Sequence, residues 1–298
     1  TKFVIKRRQV SKAWGPSPET VLRRAERVEF VVVAAEGGKG AVEIDQLSLR
    51  ALPVEPLAPP QPIAADGRAQ TTAANAVDLD PKTAWTPPVG EPSALTLDLG
   101  YEREFGGLTL RWGERGAAAD YRISASLDGR DWRELTSVKG GNGGVDWLRT
   151  PETSARWLRL EPLKPVPASD VVGSSGAGQR LGAGQATTYA LNEIEVEPLA
   201  FGEDATAFVE AVAKENLRGL YPRGFFGEQP YWTLVGVDGG GESGLIGEDG
   251  AIELRRAGPS IEPFVVDNGR LITWADVNIE QGLKDGDLPI PSVTWIAD

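Results

Sequence analysis

YRISASLDGRDW, residues Tyr121 to Trp132, alternates apolar and polar side chains from Tyr121 to Leu127 and then turns on Asp128-Gly129. A period of two puts one set of side chains on a buried face, and an Asp-Gly pair supplies the backbone freedom that a tight hairpin needs. The same alternation returns in LTLDLG (Leu95 to Gly100), LTLRW (Leu108 to Trp112), ARWLRLEPL (Ala155 to Leu163) and LNEIEVEPL (Leu191 to Leu199). Short alternating strands separated by turn residues are the pattern of an antiparallel β-sandwich or jelly roll. The fold class read from the sequence is all-β, a multi-domain β-sandwich of jelly-roll type with one short helix.

Working outward, residues 1–54 read as the C-terminal part of a jelly-roll β-sandwich, with strands at Lys2 to Val10, Val28 to Ala34 and Ala41 to Leu49. Residues 55–62, inside the proline-rich PVEPLAPPQP, read as a stiff extended linker. Residues 63–198 form the central sandwich, interrupted by an aperiodic Gly/Ser/Ala/Gln-rich loop from Val166 to Thr188. Residues 199–219 hold the helical linker: Asp204 is an N-cap, and Phe208, Val209, Val212 and Ala213 share one helical face. Strands return over 220–298, with hairpin turns at Asp249-Gly250 and Asn268-Gly269.

The absences narrow the chemistry. The chain of 298 residues has no Cys and no His, so Ser-His-Asp, Cys-His, HExxH and zinc-deaminase sites are excluded. Any metal is held by oxygen alone, which points to a hard cation such as calcium or magnesium rather than zinc or copper. A net charge of −12 opposes nucleic-acid phosphate and anionic lipid, so neither a nucleic acid nor a membrane is an expected partner.

NAVDLDPKTAW, Asn75 to Trp85, gathers oxygen ligands in one compact loop. Asp78 and Asp80 stand two residues apart, Pro81 stiffens the turn and Thr83 follows; that is a calcium loop, or else a surface Asx-turn with Trp85 as a core aromatic. Five stretches then follow in order: AVDLDPKTAW (76–85), LTLDLG (95–100), YRI with SLDGRDW (121–132), WLRL (157–160) and LNEIEV (191–196). This series resembles the coagulation factor 5/8 type C (discoidin) domain, in the bacterial branch similar to family 32 carbohydrate-binding modules. The resemblance implies an eight-stranded jelly roll, a structural calcium ringed by Asp78, Asp80, Thr83 and Glu193, and a sugar site on loops at one end of the sandwich. The family usually has Gly where Leu79 stands.

A sugar C–H face packs on an aromatic ring while hydroxyls take hydrogen bonds. Trp112, Trp147 and Tyr189 lie beside irregular segments and are the candidate sugar-binding side chains; Trp85 and Trp132 are read as core. Residues 1–54 resemble the C-terminal half of a jelly-roll carbohydrate-binding module on Trp14-Gly15-Pro16, GGKGAV (37–42) and IDQL (44–47). Residues 220–298 resemble a β-supersandwich that precedes a glucoamylase-like hydrolase barrel in large bacterial proteins, on LYPR (220–223), GEQPYWT (227–233), SIEPF (260–264) and LITWAD (271–276). That resemblance implies that the reacting carboxylates lie on a separate C-terminal catalytic domain of the same protein. Within this chain, Glu262, Asp276, Asp285 and Asp287 offer acids, but no pair is singled out from the 43 acidic residues. The expected function is non-catalytic: a secreted or periplasmic carbohydrate-binding and accessory region. The alternative is a structural module that packs on a hydrolase and binds no sugar.

Overall fold

The computed structural model describes residues 5–13, 23–33, 37, 40–49, 51, 59–64, 69–114, 116–167 and 188–297. Trp14-Gly15-Pro16, Gly38-Lys39, most of the proline-rich linker and most of the Val166 to Thr188 loop lie outside the described residues. The chain divides into two units, residues 1–54 and 55–298.

In the first unit the described residues hold a 3-10 turn at Arg7–Gln9 and no strand. Val31 and Val33, expected in a buried strand, are 80% and 79% exposed. The three expected strands are thus missing from the described residues of 1–54. An apolar run becomes a strand only where a ladder partner takes its backbone groups and a second layer takes its side chains.

The second unit begins with β1 (Gln61–Ala64), a 3-10 stretch (Ala69–Ala76), β2 (Leu95–Trp112) and β3 (Ala118–Ser126). It continues with β4 (Arg133–Val138), β5 (Val145–Pro165) and β6 (Leu191–Glu197). These strands join in the order β1-β2-β5-β3-β4, with β6 also on β2. Two sequence segments expected as separate strands, 95–100 and 108–112, are one strand of 18 residues. Register shifts at Asp98/Arg103 and Phe105/Gly107 break its pairing with β5 into three zones, and Gly100 takes a φ of 82° in the first shift. The first zone of β2 also pairs β1 and the last pairs β6, so the irregularities let one strand serve both groups. Leu95, Leu97 and Leu99 from the first zone meet Leu108, Leu110, Ile123, Leu158 and Leu160 in one core cluster. Each such side chain contributes roughly 1.5–3 kcal/mol by leaving water.

A 3-10 turn, Leu199–Gly202, leads into α1 (Ala205–Lys214), the one α-helix among the described residues. Asp204 caps it by accepting from the Ala207 N–H at 2.8 Å, as the sequence predicts, and Val212 and Ala213 are its buried residues. After it come β7 (Trp232–Gly236), β8 (Ser243–Gly247), β9 (Ile252–Glu253) and β10 (Ser260–Ile261), a four-stranded sheet in the order β10-β9-β8-β7. Two hairpins follow, β11 (Val265–Asp267) with β12 (Arg270–Ile272) and β13 (Asn278–Lys284) with β14 (Leu288–Ile296). The first turns on Asn268 at φ 48° and Gly269 at φ 80°, the two positive dihedrals that a two-residue hairpin loop requires. The all-β class, with one α-helix among the described residues, is as the sequence predicts.

Candidate functional site

The loop from Asp78 to Thr83 is held by its own side chains. Asp78 Oδ1 accepts the Asp80 N–H at 2.9 Å, and Asp80 Oδ1 accepts the Lys82 N–H at 3.0 Å. The Thr83 hydroxyl lies 2.9 and 3.1 Å from the two Asp78 oxygens and 3.1 Å from the Asp80 carbonyl; with one proton it donates to one of them at a time. Leu79 turns the chain in the left-handed region at φ 62°, so the bend that the family makes with Gly is made here with Leu.

Strand β6 closes this loop from the other side. Glu193 Oε2 accepts the Leu79 N–H at 2.8 Å, and the Asn192 side-chain amide donates to the Pro81 carbonyl. Beyond the loop, Trp85 and Leu191 exchange two backbone hydrogen bonds of 2.8 and 3.0 Å. Trp85 is fully buried, as its reading as a core aromatic expects. Asp78, Thr83 and Glu193, 115 positions apart at the extremes of the chain segment, therefore stand around one turn, with Asp80 in the same loop.

Glu193 is 5% exposed. Burial pushes its carboxyl up to about 7, and the charges of Glu195 and Asp78 push the same way against the Leu79 N–H and Arg111. Among the described residues no three acidic side chains form a metal-binding group by themselves. The donors around the turn are the carboxylates of Asp78 and Glu193, the Thr83 hydroxyl and loop carbonyls, with the Asp80 carboxylate in the same loop, an all-oxygen set that suits a hard divalent cation.

The candidate aromatics are placed differently from the expectation. Trp112 is 5% exposed: its Nε1 donates to Asp146 Oδ2 at 3.0 Å, and its ring leans on Tyr121 at 5.4 Å. Tyr121 donates its hydroxyl to the same Asp146 oxygen at 2.7 Å, and burial pushes that phenol further above its ordinary range. Tyr189 is 2% exposed, with its backbone N–H on the Pro87 carbonyl at 2.8 Å. Rings this deep offer no face to a sugar, so Trp112 and Tyr189 are core residues in this structure. Trp147 is half-buried, and its Nε1 donates to Glu215 Oε2 at 3.2 Å, the oxygen that also accepts from Arg111 Nη2 at 2.8 Å. Trp132 is half-buried too, with the Arg159 guanidinium 4.0 Å above its ring.

The residues missed from sequence lie elsewhere. Trp232 lines a cavity of about 320 Å³ with Arg223, Asp249 and Glu262. No spacing rule links those four positions; only the sheet β10-β9-β8-β7 packed near α1 brings them together.

Residues 63–175 match the F5/8 type C domain family. That stretch is therefore similar to an F5/8 type C domain, the class that the motif series resembles. Among solved structures, chitosan-binding module 1 from a chitosanase/glucanase of Paenibacillus sp. IK-5 is 20% identical, over 46% of this chain and 93% of that one, with a TM-score of 0.37. CpGH89CBM32-5 from Clostridium perfringens, in complex with GalNAc-beta-1,3-galactose, is 19% identical over 46% and 94%, with a TM-score of 0.36. The C-terminal domain of a chitobiase from Bacteroides fragilis is 18% identical over 47% and 89%, with a TM-score of 0.32. No curated protein matches the chain. Among the described residues no helix is long and apolar enough to cross a membrane.

Proposed function

We propose that this chain is the non-catalytic carbohydrate-binding and accessory region of a bacterial glycoside hydrolase-like protein, acting outside the cytoplasm. The observation that carries the reading is the F5/8 type C match over residues 63–175, on a sandwich whose loop end is tied to its last strand by Asp78, Thr83 and Glu193. Calcium held by Asp78, Asp80, Thr83 and Glu193 would supply positive charge beside Glu193, whose ionised form burial and the charges of Glu195 and Asp78 disfavour. Its role would be to stiffen the loop end without touching the sugar. Trp147 is the one member of the aromatic trio whose ring reaches solvent. Holding a glycan this way would raise the effective concentration of substrate at a catalytic domain of the same protein.

The test is a glycan array probed with the full chain in calcium and again in chelator. Calcium-dependent binding to a defined glycan set is the expected result; silence in both conditions from folded protein overturns the sugar reading. In that case the second reading, a structural interdomain module, takes its place. A specific observation favours it: Trp147 and Arg111 are both engaged by Glu215 just past α1, which ties the sandwich to the helix that follows it.

A further inference from the structure

The cavity of about 320 Å³ beside α1 belongs neither to the cation loop nor to the aromatic trio. Part of its wall is apolar, from Phe225, Pro230 and the indole of Trp232, which is 41% exposed. The rest carries three carboxylates, Glu210, Asp249 and Glu262, against a single cation, Arg223.

Arg223 is engaged by Asp249 alone among these three and by two further acids. Its Nε meets Asp249 Oδ2 at 2.9 Å, its Nη1 meets Glu228 Oε2 at 3.1 Å, and its Nε also lies 3.5 Å from Glu248 Oε1. The guanidinium is packed 4.2 Å above the Trp274 ring. Glu210 faces Lys214 across 3.8 Å on the helix surface. Glu262 is the exception: it is half-buried and has no hydrogen-bond or ion-pair partner among the described residues. Burial and the charge of Asp249 push its carboxyl above the usual range. A half-buried acid without a partner, next to an exposed indole, leaves an unmatched negative charge in a mostly apolar recess.

What complements this recess is one positive charge on a body with an apolar face and hydroxyl edges. We propose, building on the carbohydrate reading above, that the cavity is a subsite for a cationic sugar residue, a pyranose with a protonated amine, its ammonium on Glu262 and its C–H face on Trp232. A bare alkylamine or a lysine side chain would answer the charge but leave the indole face and much of the volume unfilled. A second cavity of about 310 Å³ has Trp232 and Gln281 in its wall, which leaves room for the next residue of an oligosaccharide.

The test titrates the full chain with glucosamine and its short β-1,4 oligomers, followed by tryptophan fluorescence and calorimetry. Their N-acetylated counterparts and n-butylamine serve as controls. The amino sugars should bind, the acetylated sugars and butylamine at least about tenfold more weakly, as expected when one charge-assisted hydrogen bond is lost. Glu262→Gln, nearly isosteric, should weaken amino-sugar binding about tenfold with an unchanged melting temperature. Trp232→Ala should weaken every sugar, and Trp232→Phe, which keeps a ring, should retain part of the affinity. Equal binding of the acetylated sugars, equal binding of butylamine, or no effect of Glu262→Gln each overturns the proposal. No amino-sugar binding at all overturns it too, while an array signal from neutral glycans would then leave the carbohydrate reading standing. Amino-sugar binding lost in Glu262→Gln upholds the subsite even if the array shows no calcium-dependent glycan.

Discussion

Glu193 is an acid that the fold keeps from water, so its surroundings control its ionisation. Its carboxyl, ordinarily near 4.5, is pushed up to about 7, chiefly by burial. Between those two values the folded state holds a proton that the unfolded chain has released, so without a cation stability falls as pH rises from 4.5 to 7. A bound divalent cation keeps the carboxylate ionised and removes that fall. We expect thermal melts in chelator to show the decline and melts in calcium to be flatter, with a gain at pH 7 of about 2.7 kcal/mol when calcium is at 100 times its Kd. Glu193→Gln should remove the Glu193 part of the pH slope, leaving what Glu197 and Glu262 contribute, and abolish the calcium response; a variant that still responds to calcium like the parent would remove Glu193 from the ligand set. Asp98 has the opposite sign. Arg156 holds its carboxyl below the usual carboxylate range through hydrogen bonds of 3.0 and 3.0 Å, and the Gly100 N–H adds to this against burial. Its contribution is present above the unfolded carboxyl value and disappears as pH falls through the lower folded one. Asp98→Asn should therefore make the acid limb of the unfolding curve shallower, and an unaltered limb would show that the pair does nothing.

At the scale of elements, the turn Leu199–Gly202 sits on β2 by the absence of side chains. A Cβ at Gly106 would come within 2.6 Å of the Leu199 carbonyl oxygen, and one at Gly107 would strike the Phe201 ring and lie 2.6 Å from the Leu148 carbonyl oxygen. Phe201 in turn meets Phe208 of α1 edge to face at 5.3 Å. Sandwich, turn and helix are thereby packed together, with Arg149 Nε donating to the Gly202 carbonyl at 3.0 Å. Gly107→Ala should cost roughly 1–3 kcal/mol, because overpacking against a backbone carbonyl cannot be relieved by a side-chain rotation. The damage should be local: hydrogen exchange should rise over 199–214 and leave β3 and β4 protected. Exchange that rises evenly across the sandwich would show that turn and helix are not a separable layer. Beside this packing, Trp147 of β5 donates to Glu215, the residue that follows α1, at 3.2 Å.

For the whole molecule, the two units bear apolar surface very differently. The unit of residues 55–298 holds every residue of the core cluster, and removing one of the largest contributions, as in Leu160→Ala, should lower stability by about 2–5 kcal/mol. The described part of residues 1–54 contributes nothing to that core and shows exposed Val28, Phe30 and Val31. A protein of residues 55–298 should therefore melt within about 2 °C of the full chain and bind less of a hydrophobic dye, since exposed apolar patches of this kind attract partners and aggregation. A large drop in melting temperature on removing 1–54 would show that this unit stabilises the rest. A net charge of −12 keeps the whole molecule away from polyanions and makes a cationic or neutral ligand the electrostatically consistent one.

Strand content, hairpin turns and the helix cap were legible because each rests on neighbours within a few positions. Asn268-Gly269 and Asp204 do in the structure what their local chemistry dictates, while Asp128-Gly129 turns the chain inside a longer loop, residues 127–132, where the Asp128 carboxylate accepts the Arg130 and Asp131 N–H groups. The loop Asp78 to Thr83 was legible for the same reason, and its tie to Glu193 came from the motif order of the family. Burial was legible only where the alternation continued. Trp112 ends a strand beside a loop, and whether its indole faces out or in depends on Asp146, which β5 delivers from 34 positions away. Tyr189 likewise follows an aperiodic stretch, and its depth is set by pairing with Pro87. The cavity around Trp232 and Glu262 has no sequence signature, because its charge balance depends on which acids occupy Arg223 after the strands have packed. By itself the sequence determined the all-β class, the punctuation of turns and the exclusion of thiol and imidazole chemistry, since these follow from residue type and short-range dihedral preference. Only the tertiary structure decided which aromatics are core and which acid is left without a partner, because both depend on long-range contacts that no local pattern encodes.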